Sequence, residues 1–232
     1  MTRSLFPTTR RSVIVALSSD DPSERARAFD ALLAIYWKPL YKYARIAHRR
    51  DSPDAEDRTQ SFLARAFEKS SLATYDESKA SFRTFLRTLF DRHLANEIKA
   101  ETRLKRGGAD AHVVLESAEV EIAQEPDRGA TPEDYFQREW VRSVFAVAVE
   151  RLRESSKPED FDLFDAYDLD ETSQLSYRDL AQRAGMSETT VTNRLAAVRR
   201  RFREIVLDVL RDATASDREF RAEVRSLLGV DP

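Results

Sequence analysis

Residues 176–203 read SYRDLAQRAGMSETTVTNRLAAVRRRFR, and the rest of the chain is interpreted from this stretch. Leu180, Ala181 and Ala184 fall at helical spacing and make one apolar face. Gly185 ends that helix, because the turn that follows calls for a positive φ that glycine adopts at little cost. Ser187 is placed to cap a second helix through its hydroxyl, and Glu188 adds negative charge where the helix dipole favours it. Val191, Leu195, Val198 and Phe202 then recur at spacings of four, three and four. The pattern predicts a helix-turn-helix. The outward face of its second helix carries Thr192, Asn193, Arg194, Arg199, Arg200 and Arg201, and in such motifs that helix enters the DNA major groove. An ordinary helical hairpin with a solvated basic face fits the same spacing, so the remaining residues must separate the two readings.

Composition narrows the choice. A chain of 232 residues holds one or two domains, and 41% apolar content suffices for small cores. Glycine is scarce, at 5, and Ala, Leu, Arg and Glu are abundant, which predicts a nearly all-helical protein. No run approaches the ~18 apolar residues of a membrane span, and VIVAL at 13–17 is too short for a signal peptide. The absence of cysteine excludes disulfides and thiolate metal sites and suits a cytoplasmic location.

The net charge of −3 is unexpected for a nucleic-acid binder, but its distribution is informative. Residues 79–106 hold 8 Lys/Arg against 3 Asp/Glu, and residues 176–203 hold 7 against 2. Residues 107–135 hold 1 against 8, and residues 159–173 hold none against 7. Two basic blocks alternate with two acidic ones, which suggests two nucleic-acid-facing surfaces joined by solvated segments.

Helical periodicity recurs along the chain. A short helix is expected over 12–18. After the capping segment Asp20–Ser23, Phe29, Leu32, Leu33 and Tyr36 form a stripe that Leu40, Tyr43 and Ala44 continue past Pro39, where a kink or a new helix is expected. Tyr36, Trp37, Tyr41 and Tyr43 form an aromatic cluster read as core. Residues 53–69 form a helix with a polar first half (Asp54, Glu56, Asp57, Arg58, Thr59, Gln60) and an inward face of Phe62, Leu63, Ala66 and Phe67. Residues 79–106 form a long helix in which Phe82, Phe85, Leu86, Leu89, Phe90, Leu94 and Ile98 follow three- and four-residue steps, with many cations on the rest. Tyr75, in the preceding loop, is an aromatic that could meet unpaired bases. Gly107-Gly108 ends that helix, and 107–131 reads as a flexible acidic linker, with VVLES (113–117) as a possible short extension of structure. Helices follow at about 132–154 and around Phe161–Tyr167, then the helix-turn-helix, then 216–228 with Phe220, Val224, Leu227 and Leu228, expected to pack on the second domain. The fold class is therefore all-α: two small helical domains joined by an acidic flexible linker, the second containing the helix-turn-helix.

These segments together resemble the RNA polymerase sigma factors of the sigma-70 superfamily, extracytoplasmic-function (ECF) type. DAEDRTQSFLARAFEK (54–69) is similar to the segment that docks on the clamp helices of the polymerase largest subunit. FRTFLRTLFDRHLANEIKAETRLKRGG (82–108) is similar to the helix that reads and opens the −10 promoter element, and SYRDLAQRAGMSETTVTNRL (176–195) to the −35-reading motif. TRRSVIVALSSDD (9–21) and RLKRGG (103–108) resemble an ECF-like group abundant in planctomycete-type bacteria. The resemblance implies an N-terminal domain at 10–106, a linker at 107–131 and a C-terminal domain at 132–228. It implies core-polymerase contacts at Asp54, Glu56, Asp57, Gln60 and Phe62, and −10 contacts at Arg83, Arg87, Arg92, Asn96, Lys99 and Arg103. It implies −35 contacts at Ser187, Thr189, Thr190, Thr192, Asn193, Arg194, Arg199 and Arg200. The implied partners are core RNA polymerase, duplex and locally melted promoter DNA, and an anti-sigma factor or other regulator, with no cofactor, metal or membrane. The chain departs from the family pattern at Arg58, where an aliphatic residue is usual, at Phe85 for Trp, at Arg92 for Asn, and at Ala196-Ala197.

Two other readings compete. A dimeric helix-turn-helix regulator would bind duplex DNA without polymerase and would need no docking helix. A metal-dependent nucleic-acid enzyme would have to use Asp54, Glu56 and Asp57, but no histidine or further ligand stands at matching spacing, so no enzymatic activity is expected.

Overall fold

The computed structural model describes residues 16–17, 19–68, 71–104, 131–170, 172 and 175–230, with the side chains of 67–68, 73 and 100–104 left aside. The helix expected at 12–18, apart from Ala16 and Leu17, lies outside these residues, as does the linker before Thr131 with its VVLES segment. The described residues form helices and turns with no strand among them. They divide into two compact units, residues 1–143 with 210–232 and residues 144–209.

The first unit begins with α1 (Pro22–Ala47), where the Asp21 carboxylate accepts the Ser23 N–H and Pro22 occupies the first turn. Pro39 lies inside this helix, so of the two outcomes expected there no new helix begins. A proline inside a helix costs about 3 kcal/mol, and here it sits among buried Ile35, Tyr36, Leu40, Tyr41, Tyr43 and Ala44, whose burial offsets that cost. Helix α2 (Ser52–Glu68) follows, then a 3-10 turn at Ser71–Thr74 and α3 (Phe82–Leu104). Phe82, Leu86, Phe90 and Leu94 form the buried stripe of α3. Phe82 meets Tyr36 edge-on at 5.8 Å, and Phe90 meets Phe62 at 5.0 Å. The first half of α4 (Pro132–Ser155) also belongs to this unit. Its start is capped reciprocally: the Thr131 hydroxyl accepts the Asp134 N–H, and the Asp134 carboxylate accepts the Thr131 N–H. Trp140 is fully buried, and Glu139 reaches Lys42 of α1 at 2.5 Å in a pair shielded from solvent on both sides.

The last helix corrects an expectation. Helix α8 (Asp217–Leu228) belongs to the first unit and not to the second. Its Phe220 and Val224 are buried, and Glu219 and Glu223 share that buried side. The Glu219 carboxylate accepts the Phe82 N–H at 2.6 Å and the Tyr75 hydroxyl at 3.2 Å, and Glu223 pairs with Arg83. An apolar stripe identifies which face of a helix is buried but not against what. Here the two acids choose the surface that offers donors.

The second unit contains the later part of α4, α5 (Pro158–Phe164), a π-helical turn at Asp165–Leu169, α6 (Tyr177–Ala184) and most of α7 (Glu188–Asp212). Its core gathers Val144, Ala148, Leu152, Phe161, Phe164, Leu180, Ala181, Val191, Leu195 and Val198. Phe202 adds ring contacts to Phe145 at 6.4 Å and Phe164 at 5.2 Å.

Candidate nucleic-acid interface

The helix-turn-helix is built by local chemistry. Ser176 and Asp179 form a capping box at the start of α6. Gly185 adopts φ 63° at its end, and the Met186 N–H returns to the Ala181 carbonyl at 3.0 Å. The Ser187 hydroxyl accepts the Thr190 N–H at 3.1 Å and pairs with the Thr190 hydroxyl at 2.8 Å, so both residues serve the cap of α7. Ala184 is exposed, so the buried face of α6 is narrower than its spacing suggests and rests on Leu180 and Ala181.

Along the outer side of α7, Thr189, Thr192, Asn193 and Arg200 are exposed. Thr192 turns its hydroxyl back to the Glu188 carbonyl at 2.9 Å. Two of the arginines assigned to DNA are held by acids. Arg194 donates to Asp160 at 3.2 Å. Arg199 donates from Nε and Nη2 to the Asp168 carboxylate at 2.9–3.1 Å and from Nη1 to the Tyr177 hydroxyl at 3.0 Å, with its guanidinium 5.3 Å from the Tyr167 ring centre. Hydrogen bonds donated to the Asp168 carboxylate hold the Arg199 guanidinium above its ordinary pKa despite partial desolvation. The acidic block at 159–173 is thus not only a solvated segment. Its juxtaposition with a basic helix in the same chain was the available signal, and only the fold shows which acid meets which arginine.

Helix α2 sorts its polar residues sharply. Asp57 and Gln60 are exposed and Asp54 is partly so, whereas Glu56 and Phe62 are each only 4% exposed. Glu56 accepts from the Gln60 amide at 3.2 Å, and Phe62 packs on Phe90. Neither presents a surface as it stands. Arg58, in place of an aliphatic residue, is buried and satisfied by Asp54 at 2.6 Å and Glu97 at 3.0 Å. His93 completes this seam, with Nε2 3.0 Å from the Ser61 hydroxyl and 3.3 Å from Glu97. Desolvation lowers the His93 pKa, outweighing the attraction of Glu97, while Arg65 and Arg58 push in the same direction as burial.

Helix α3 divides along its length. Arg92, Asn96 and Lys99 are exposed in its later part, and Arg103 lies in the last turn, where side chains are not described. In the first part, Arg83 is ion-paired to Glu223, with its guanidinium 5.0 Å from the Trp140 ring centre. Arg87 donates to Glu133 at 2.6 Å and to the Tyr43 hydroxyl at 3.2 Å. Tyr75 is not available to bases in this arrangement, since its ring packs on Phe82 at 5.4 Å and Phe85 at 5.2 Å and its hydroxyl is bonded.

Among the described residues no group of three or more His, Asp or Glu side chains is placed to hold a metal ion, and no helix is long and apolar enough to cross a membrane. An all-helical fold with a helix-turn-helix is an architecture used by one class of DNA-binding proteins. The family model for the ECF sigma factor matches residues 19–208, well over half of the chain, which therefore belongs to the ECF sigma factor family. No match is found among curated proteins. Membership implies an RNA polymerase sigma factor acting in transcription initiation, a DNA-binding regulator and not an enzyme, whose partners are core polymerase, promoter DNA and anti-sigma factors.

Proposed function

We propose that the chain selects promoters through two elements, reading −10 DNA with α3 and −35 DNA with α7, while α2 docks on the clamp helices of the polymerase largest subunit. In this reading residues 10–106 hold polymerase and the −10 element, 107–131 connect, and the −35 reader lies within 132–228, in the unit formed by residues 144–209. The observation that carries it is the exposed polar row Thr189, Thr192, Asn193 and Arg200 on a correctly capped second helix of the helix-turn-helix. Threonine and asparagine match base edges in the major groove, and Arg200 suits a phosphate. On α3, Arg92, Asn96 and Lys99 form the accessible −10 face. On α2, Asp57 and Gln60 are the docking contacts, with Asp54 at their edge and Glu56 and Phe62 supporting from inside. Holding two weak DNA contacts on one polymerase raises the effective affinity of each, so a chain of net charge −3 suffices. The planctomycete-type subgroup is the finer placement that residues 9–21 and 103–108 support.

The test is promoter-dependent transcription with core polymerase over a promoter library. Selective initiation that Asn193→Ala blurs at the −35 positions is the expected result. Failure to bind core, combined with tight operator-like binding by the isolated chain, would replace this reading with that of an autonomous regulator.

A further inference from the structure

The family match ends at residue 208, so α8 lies past what the family description covers. It nevertheless occupies the first turn of the helix assigned to −10 DNA. Glu219 receives the Phe82 N–H at 2.6 Å, the Ala215 N–H at 3.0 Å and the Tyr75 hydroxyl at 3.2 Å. Arg218 donates to the Glu77 carbonyl in the loop before α3. Glu223 takes the Arg83 guanidinium, and both side chains are largely shielded from water. A carboxylate oxygen on a guanidinium nitrogen stands where a phosphate oxygen would. The Glu133 carboxylate on Arg87 is different: it is 55% exposed, open to salt and readily exchanged for another anion. The Glu223 contact cannot exchange unless α8 moves. Among the described residues no hydrogen-bond partner stands by the buried Glu223 Oε2.

We propose that α8 is an intramolecular competitor for promoter DNA: docked, its Glu223 withholds Arg83 from a backbone phosphate, and undocked, it releases that arginine to the promoter strand. The inference rests on the reading of Arg83 as a −10 contact. Trp140 lies against the same guanidinium, its ring centre 5.0 Å away, so release of Arg83 to a phosphate requires both loss of the acid and movement of α8.

The full chain tests it, with binding to a short fluorescein-labelled oligothymidine followed by anisotropy across a salt series. Glu223→Gln removes the charge with little change of shape, and Phe220→Asp removes the buried anchor of α8. Each is expected to tighten binding by about three- to tenfold at low salt and to steepen the salt dependence by about 0.7 in log–log slope, the mark of one more phosphate contact on single-stranded DNA. Adding Arg83→Ala to either variant should abolish the gain. Because the chain has no cysteine, Glu77→Cys with Arg218→Cys can be bridged by a bismaleimide, and the bridged protein should not gain when Glu223→Gln is added. If Glu223→Gln binds the oligonucleotide as the parent does, with an unchanged slope and a parent-like circular dichroism spectrum, the proposal is overturned, whether or not Phe220→Asp folds. Core-polymerase binding and initiation by the parent, measured in parallel, judge the sigma-factor reading separately from this one.

Discussion

Helices α3 and α7 both carry rows of arginines, and in both some of these cations are held by carboxylates. The acids come from different distances. On α7, Arg194 and Arg199 are held by Asp160 and Asp168, 34 and 31 residues away, from segments that build the same unit. On α3, Arg87 and Arg83 are held by Glu133 and Glu223, 46 and 140 residues away. The first pair of contacts is part of how the helix-turn-helix is assembled. The second pair joins α3 to parts of the chain beyond the acidic segment. Position on a helix proposed to read DNA therefore does not by itself make an arginine a DNA contact. What matters is whether its carboxylate is part of the local build or can leave.

The severest way to break the long-range side of this contrast is Lys42→Met. The Lys42–Glu139 pair joins α1 to the first half of α4 across 97 residues and is fully buried. Removing one partner of such a pair costs about 3–5 kcal/mol, although Glu139 would keep Arg142, at 2.5 Å. Urea unfolding should show this loss, and a change below about 1 kcal/mol would mean that the buried pair is not what holds α4 there. The local side is broken by Gly185→Ala. Nothing stands within 4 Å of the added methyl, so the cost is the left-handed backbone alone, about 1–2 kcal/mol. An unaltered unfolding midpoint would remove the turn from the argument.

Asp168→Asn sharpens the contrast more gently. The pair is partly exposed, so about 0.2–1 kcal/mol of stability should be lost. Duplex affinity should not improve as single-strand affinity does for Glu223→Gln, because Arg199 also keeps Tyr177. A gain in duplex binding would show that Asp168 withholds Arg199 in the same way. The α2–α3 seam adds a dependence on pH. His93 has a folded-state pKa below its unfolded value of about 6.5, so protonation favours the unfolded chain. Its contribution is fully present above that value and is lost as pH falls below it toward the folded pKa. His93→Gln should flatten the stability profile over that range, and an unchanged profile would point to other groups. The smallest effect on folding is expected from exposed Asp57→Arg, within about 0.5 kcal/mol, while core-polymerase binding weakens several-fold. Parent-like core binding would move the docking surface elsewhere on α2.

Much of this molecule was legible from residue order. The all-α class, the turn at Gly185, the Ser187 cap and the buried stripes of α3 and α7 follow from side-chain period, glycine's access to positive φ and hydroxyl capping, all acting within a few residues. Three features were not legible. Pro39 sits inside a continuous helix because burial of its neighbours outweighs a local penalty. Glu56, four residues from Gln60 on a polar half-turn, is turned inward by the way α2 packs. The acidic blocks read as solvated because charge counts carry no coordinates. By itself the sequence determined the helices, their caps and the helix-turn-helix, since these depend on contacts between near neighbours. Only the tertiary structure decided which arginines remain exposed to solvent and where α8 rests, because an ion pair between residues 83 and 223 forms only after the intervening chain has folded.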